Sequence, residues 1–166
     1  LAIAQANKAT IIAIAEVATY AQSQGVKAHG MNLGGRYVFP FGSVKFVPAL
    51  HSSGYEIDGV MTYMGEASGI ILEAEDKKIY HAGDTALFSD MHLFAKDKSI
   101  DVAFLPIGDN YTMGPEDALE AVSYLNPEIT IPIHYNTFPV IQQNPAIFVE
   151  QVVGGKVLNP GETILV

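Results

Sequence analysis

The chain has 166 residues, of which 49% are hydrophobic and 16% are charged. This composition excludes an intrinsically disordered chain and provides enough apolar residues for one buried core, so we predict a single domain over residues 1–166. The formal net charge of −9 argues against nucleic acid and anionic membranes as partners, because both require basic surfaces. Cysteine is absent, so a metal site would have to use His, Asp or Glu ligands.

The predicted elements of the first half begin with a strand at residues 9–15 and a helix at 16–25. Residues 37–50 alternate as a hairpin that turns at 41–43, and its second strand leads to His51. Polar residues interrupt the apolar opening segment before it reaches the roughly 20 residues of a membrane-spanning helix. It also lacks the basic start of a signal peptide, so we expect it to belong to the core of a cytoplasmic protein.

The second half continues the alternation of strands and helices. Residues 68–84 read as two strands around a turn at 75–77, and residues 85–96 have helical spacing. The remaining predicted elements are a strand at 101–109, a helix beginning at Pro115, a strand at 128–134, a helix at 144–153 and two short strands within 156–166. This order predicts a layered α/β domain.

Three side chains that can bind a metal follow apolar strands: His51, Asp84 and His134. Loops at strand ends in layered α/β proteins converge into one crevice, so residues that are distant in sequence can meet there. Imidazole suits Zn, Fe, Ni or Mn, and a carboxylate can bridge two ions about 3.5–4 Å apart. The pattern therefore indicates a site for a divalent metal.

Simpler interpretations of these residues stay open at this point. A histidine at a strand end is often a hydrogen-bonded structural residue, and a Gly-Asp-Thr sequence is typical of a capped turn. We expect His81 to support the site or the fold from the face opposite Tyr80, and Thr85 to orient the carboxylate of Asp84.

Several motifs together resemble the metallo-β-lactamase superfamily. In chain order they are HSSG at 51–54, YHAGDT at 80–85, LPIG at 105–108, TMGP at 112–115 and PIHYNTF at 132–138. The resemblance covers essentially the whole chain and is greatest to small bacterial and archaeal metal-dependent hydrolases related to sugar-phosphate lactonases. It implies an αββα four-layer sandwich with the site at one edge of the paired sheets.

The resemblance also implies a role for each candidate ligand. His51 resembles the histidine that binds the first metal, Asp84 the carboxylate that bridges both metals, and His134 the histidine on the second metal. The implied cofactor is a pair of divalent ions, with Zn first and Mn, Fe or Ni as alternatives. The implied activity is a hydrolase in which a metal-bridging hydroxide attacks an ester, lactone or phosphoester, with Asp84 and His134 as the implied catalytic residues.

The loops beside these strand ends are predicted to line a pocket for a small-molecule substrate, because such loops commonly supply substrate contacts. The candidates are Asn110, Tyr111, Met113, Tyr135, Asn136 and Thr137. Ordinary turn chemistry is the alternative for the loop residues, and core packing is the alternative for Met113.

One motif of the superfamily, His-x-His-x-Asp-His, does not occur in the sequence. In the family it precedes the segment that residues 1–25 resemble, together with the first strands of the N-terminal sheet. We therefore expect the chain to be the C-terminal portion of the domain, with the missing segment as its partner in cis or as a second chain. Because a zinc site needs about four ligands, residues 1–166 alone are expected to bind metal weakly and to be inactive.

The rival hypothesis is a non-catalytic binding or assembly fragment, and a homo-oligomer is compatible with either hypothesis. The absent motif favours the rival, whereas retention of His51, Asp84 and His134 favours the enzyme. The reading frame directly upstream distinguishes them, since the enzyme hypothesis requires it, or a neighbouring chain, to encode the missing motif.

Overall fold

A computed structural model describes residues 1–166 as four α-helices, two 3-10 helices and ten strands. The helices are α1 (Ala2–Asn7), α2 (Ala15–Ser23), α3 (Pro115–Leu125) and α4 (Pro145–Val149), and the 3-10 helices are Ser89–Ala95 and Pro139–Ile141. The strands are β1 (Ile11–Ile14), β2 (Ala28–Met31), β3 (Arg36–Phe39), β4 (Gly42–Pro48), β5 (Gly54–Ile57), β6 (Val60–Tyr63), β7 (Ser68–Ala74), β8 (Lys77–His81), β9 (Val102–Pro106) and β10 (Ile129–Ile133).

The central element is a six-stranded sheet with the strand order β10-β9-β8-β7-β4-β3. Its strands β8, β9 and β10 are parallel, whereas β7, β4 and β3 follow in antiparallel pairs. Strands β1 and β2 form a separate parallel pair, and β5 with β6 forms a hairpin. Because β8, β9 and β10 point the same way, their carboxyl ends meet at one edge of the sheet.

The two faces of the central sheet are covered by different elements, because side chains alternate along each strand. On one face, Tyr80 and Leu105 pack with Met91 of a 3-10 helix and Leu125 of α3. On the other face, the β1–β2 pair packs against β4 in a smaller hydrophobic cluster. Its buried residues are Ile14, Met31, Val44 and Phe46.

Helix α2 covers the outer side of the β1–β2 pair. A Cβ atom on Gly30 would lie 3.3 Å from Cα of Ala15 and 3.4 Å from Cβ of Ala18, so glycine at this position lets β2 approach α2 closely. The layers therefore follow the order α2, β1–β2 pair, central sheet, α3. This is the helix, sheet, sheet, helix order that the resemblance implies.

Both ends of the chain differ from the sequence-based predictions. The opening segment was expected in the core, yet α1 has no buried residue and Ile3 is 82% exposed. The two short strands predicted within 156–166 are also wrong, because this segment has no paired strand. Only an isolated bridge between Thr130 and Gly155 reaches β10, and Leu165 is 96% exposed, so the segment finds no neighbouring strand to pair with.

The internal helices and strands agree more closely with the sequence-based predictions, although most are shorter than predicted. The hairpin of β3 and β4 is confirmed, but β4 ends at Pro48 instead of leading directly to His51. The helical spacing of residues 85–96 corresponds to one 3-10 helix, and the strand β2 and the β5–β6 hairpin had no sequence-based prediction. None of the helices has the length and apolar character needed to span a membrane.

Candidate metal centre

Asp84 and His134 lie side by side at the carboxyl edge of the central sheet. Asp84 is three residues beyond the end of β8, and His134 follows β10 directly. Nε2 of His134 is 3.6 Å from Oδ2 of Asp84, and the two side chains are 22% and 48% exposed. The parallel course of β8, β9 and β10 therefore brings together two of the three predicted ligands.

The backbone at His134 is held in an uncommon conformation. Its φ of 55° lies in the left-handed region, which non-glycine residues rarely adopt. The ring nitrogen Nδ1 is buried and has no hydrogen-bond partner. Both properties cost free energy, and residues that carry such a cost are concentrated at functional sites.

Gly108 is the residue that sequence reasoning missed at this site. A Cβ atom at this position would lie 2.2 Å from the carbonyl oxygen of His134 and 3.1 Å from its Nδ1. Only glycine therefore lets the end of β9 approach His134 this closely. The Ile-Gly-Asp sequence after a buried strand was the available signal, but it does not reveal which residue packs against the glycine.

His51 does not join the pair in this structure. Its Nδ1 lies 2.8 Å from the carbonyl oxygen of Ser52, and no group of three or more His, Asp or Glu side chains converges as a metal site. The residue before His51, Leu50, is nevertheless hydrogen-bonded to the loop of Asp84. Thr85 accepts a hydrogen bond from the backbone N–H of Leu50 at 2.9 Å, and the Ala86 N–H donates to the Leu50 carbonyl at 3.1 Å.

The two predicted supporting residues have their own contacts. The hydroxyl of Thr85 is completely buried and uses its acceptor and donor roles on Leu50 and Ala86, rather than on the carboxylate of Asp84. His81 accepts a hydrogen bond from the N–H of Gly83 through Nδ1 at 3.1 Å, and its ring stacks on Phe104. Desolvation lowers the pKa of His81, and the negative charge of Asp84 opposes this shift.

The predicted pocket residues divide into exposed and buried ones. Asn110, Tyr111, Asn136 and Thr137 are exposed, and Asn110 and Asn136 both have left-handed φ angles. Met113 is completely buried in the main core cluster, so its predicted pocket role is wrong and core packing, the alternative interpretation, holds.

Tyr135 stands between the exposed and buried groups, since it is half-buried against the cluster formed by α3 and α4. Burial raises the pKa of its hydroxyl.

Comparisons with known proteins agree with this architecture. The family model described as "Beta-lactamase superfamily domain" matches residues 2–135. The chain is 98% identical over its full length to a "UPF0173 metal-dependent hydrolase" of Enterococcus faecalis, of which it covers 74%. The chain belongs to the metallo-β-lactamase superfamily. The fold inferred from the sequence motifs is thereby confirmed.

More distant members of the superfamily are also similar to this chain over nearly its whole length. A UPF0173 metal-dependent hydrolase of Bacillus cereus is 52% identical over 98% of the chain, and the match spans 73% of that relative. The solved structure of Igni18, described as a novel metallo hydrolase from the archaeon Ignicoccus hospitalis, is 35% identical with a TM-score of 0.88. That match covers 98% of this chain and 71% of Igni18.

The donor atoms at the pair fit a divalent metal of the kind that the superfamily implies. Two ligand atoms that bind one tetrahedral Zn²⁺ at about 2.0–2.1 Å are about 3.3 Å apart, close to the observed 3.6 Å. At this separation the two atoms are too far apart for a hydrogen bond, so neither uses the other as its partner. The pair supplies one imidazole and one carboxylate, which leaves a zinc site short of its usual number of protein ligands.

Proposed function

We propose that this chain carries part of the metal centre of a hydrolase that acts on an ester, lactone or phosphoester bond of a small molecule. The observation that carries the proposal is the 3.6 Å approach of Asp84 and His134 at the sheet edge. The names of the two bacterial relatives, metal-dependent hydrolases, support the reaction class and the need for a divalent ion. Zinc is the preferred ion because it combines imidazole with carboxylate ligands; Asp84 and His134 would hold it, and the second carboxylate oxygen of Asp84 would be available to a second ion.

A divalent ion held by Asp84 and His134 would lower the pKa of a bound water molecule and would polarise the bond under attack. The residues of this chain determine where that happens. Asp84 extends from a loop held by Thr85 and Gly83, and its exposed carboxylate faces the imidazole of His134. His134 lies directly against Gly108, and its Nε2 faces the carboxylate of Asp84 at the edge.

The loops that surround the pair are suited to holding a small substrate. Asn110 and Tyr111 follow β9, and Asn136 and Thr137 follow β10, so all four lie beside the carboxyl ends of the strands. Their side chains offer amide, hydroxyl and aromatic groups without a positive charge. This composition favours a neutral carbonyl substrate over a polyphosphate, because a polyphosphate usually requires Lys or Arg partners.

The remaining metal ligands are proposed to come from outside residues 1–166, in cis or on a second chain. Two observations support this. The structure joins only two of the candidate ligands, and His51 lies outside the pair. The relatives also extend beyond the matched region, since the chain covers 74% and 73% of the two bacterial hydrolases. His51 would join the centre once a further ligand organises this edge.

Calorimetric titration with Zn²⁺ tests the proposal. Residues 1–166 alone are expected to bind zinc weakly, because two ligands cannot complete a site. Addition of the proposed partner segment is expected to give tight binding and hydrolysis in a panel of lactones, thioesters and phosphodiesters. In that complete protein, Asp84→Ala is expected to release the metal and abolish turnover, whereas Asp90→Ala, at an exposed position of the 3-10 helix Ser89–Ala95, leaves both unchanged.

Two results would contradict this assignment. Tight, stoichiometric binding of two ions by residues 1–166 would show that the chain needs no outside ligand. Full turnover by the Asp84→Ala variant would show that this carboxylate does not hold the metal. A complete protein that binds metal but hydrolyses nothing in the panel would favour the rival role as a binding or assembly fragment.

A further inference from the structure

A cavity separate from the Asp84–His134 pair lies on the face of the central sheet that the 3-10 helix Ser89–Ala95 covers. It has a volume of about 300 Å³ and opens between the strands β3, β4, β7 and β8 and the 3-10 helix Ser89–Ala95. Lys78 lies at the start of β8, whereas Asp84 lies three residues beyond its end. Lys78 and Asp84 therefore lie at opposite ends of β8, and neither Asp84 nor His134 lines the cavity.

Positive charge is concentrated around this cavity. The chain has only nine Lys and Arg residues against 18 Asp and Glu, yet Arg36, Lys45 and Lys78 all line this one cavity. Arg36 is already engaged, because its guanidinium pairs with Glu73 and its Nε donates to Ser43 at 3.0 Å. Lys45 is exposed and has neither an ion pair nor a hydrogen-bond partner within the chain.

Lys78 is the unusual member of this group, because it is only 4% exposed. Its Nζ donates to the carbonyl oxygens of Phe94 and Lys98 at 2.5 and 2.9 Å, and no carboxylate lies within 4.0 Å. Desolvation lowers the pKa of Lys78, and the negative charge of Asp97 opposes the shift. A buried ammonium group that has only neutral acceptors is costly, and a nearby anion would reduce that cost.

The remaining wall of the cavity is apolar. Val47 and Ile71 form its floor and are buried, while Phe94 and the half-exposed Leu93 of the 3-10 helix form its side. A ligand that fits both walls needs an anionic head and an apolar body. The volume is at the lower end of the range for small-molecule sites, about 300–1,000 Å³, so the body must be short.

We propose that this cavity is a binding site for a small monocarboxylate with an apolar body, held between Lys45 and Lys78. One negative charge matches the cavity better than two. Glu73 already neutralises Arg36, and Asp97 at the rim offsets part of the charge of the two lysines. The three cations and two carboxylates that line the cavity leave a net charge of +1, which one carboxylate balances and a phosphate dianion exceeds.

Hexanoate is a suitable probe, and hexanamide is its neutral counterpart of the same shape. Binding of each is measured from chemical-shift changes of backbone amides in the ¹⁵N-labelled protein as purified. Hexanoate is expected to shift the amides of Lys45, Ile71 and Leu93 in a saturable manner, while the amides around His134 stay unchanged. Hexanamide is expected to bind about tenfold more weakly or worse, because it lacks the charge-assisted hydrogen bonds.

Variants of exposed lysines complete the test without disturbing the core. Lys45→Ala is expected to weaken hexanoate binding about tenfold or more, whereas Lys156→Ala, an exposed lysine elsewhere in the chain, leaves it unchanged. The proposal is overturned if wild-type protein shows no saturable shift at the cavity. It is equally overturned if hexanamide binds as well as hexanoate, or if Lys45→Ala binds like the wild type.

Discussion

The two ends of strand β8 both place polar groups beside the buried sheet, but the polar groups are hydrogen-bonded at one end and lack partners at the other. At the amino end, Asp101 accepts hydrogen bonds from the N–H of Lys78 and from Nζ of Lys77, and Nζ of Lys78 is held by backbone carbonyls. At the carboxyl end, Asp84 and His134 face each other at 3.6 Å without a hydrogen bond, and Nδ1 of His134 has no partner.

The backbone conformation shows the same contrast. Left-handed φ angles at the carboxyl end occur at Gly83, Asp109, Asn110, His134 and Asn136. At the amino end of β8 they occur at Glu75 and Asp76, which form the tight turn between β7 and β8. A hairpin turn explains the second group, but it does not explain His134. The carboxyl end therefore leaves the polar atoms of Asp84 and His134 without hydrogen bonds to each other at a conformational cost, whereas the amino end satisfies most of its polar groups internally.

Gly108→Ala is expected to have the largest effect, because it acts on the carboxyl end directly. The added Cβ would meet the carbonyl oxygen of His134 at 2.2 Å, so the two strand ends must separate. Overpacking of this kind costs about 3 kcal/mol in the free energy of unfolding. Zinc affinity of the complete protein should fall about 10–100-fold, as when a supporting contact of a ligand is lost. Both quantities are measured by urea denaturation and calorimetry.

Gly114→Ala is the matched control for that experiment. Its Cβ would lie 3.3 Å or more from its nearest neighbour, Asp109, so a small adjustment accommodates it. If both alanine variants lose the same stability and the same zinc affinity, the close approach of Gly108 to His134 has no special role at the site.

Thr85→Val tests the hydrogen bonds that connect the Asp84 loop to the segment before His51. The variant keeps the shape of the side chain but leaves the Leu50 N–H and the Ala86 carbonyl without their partner. We expect a loss of about 2 kcal/mol in the free energy of unfolding, measured by urea denaturation. Tyr80→Phe is the control, because it removes a buried hydroxyl that has no partner.

The control variant should therefore be neutral or slightly stabilising. A Thr85→Val variant as stable as wild type would mean that the hydrogen bonds of Thr85 to Leu50 and Ala86 contribute nothing to the stability of the carboxyl end of β8.

Asp101→Asn probes the amino end and should have the smallest effect. Desolvation raises the pKa of Asp101, but the hydrogen bonds from Lys78 and Lys77 outweigh it and lower the pKa overall. A lowered folded-state pKa stabilises the protein at pH values above the ordinary pKa of about 3.9, and this contribution is lost as pH falls through the folded-state value.

The variant should therefore lose about 1 kcal/mol at pH 7, and the difference from wild type should shrink below about pH 4. Urea denaturation at several pH values measures this, with Asp58→Asn in the exposed β5–β6 turn as control. A difference that stays constant from pH 7 to pH 3 would show that ionisation of Asp101 does not stabilise the amino end.

Sequence patterns were sufficient for the elements whose residues alternate around a clear turn. The hairpin β7–β8, the buried strands β9 and β10 and the helix starting at Pro115 lie where they were predicted. The pattern was insufficient where packing decides the outcome. Residues 156–166 alternate like a strand but find no partner, and Met113 lies in a loop sequence but fills the core.

The sequence by itself determined the superfamily, the layered α/β fold and the identity of Asp84 and His134 as candidate ligands, because motifs and strand ends are local features of the chain. The tertiary structure alone decided which candidates meet. It joined Asp84 to His134, left His51 outside the pair and showed that Gly108 must be glycine, because these facts depend on atoms brought together from different strands. It also gathered Arg36, Lys45 and Lys78 around one cavity, which their separate positions along the chain do not reveal.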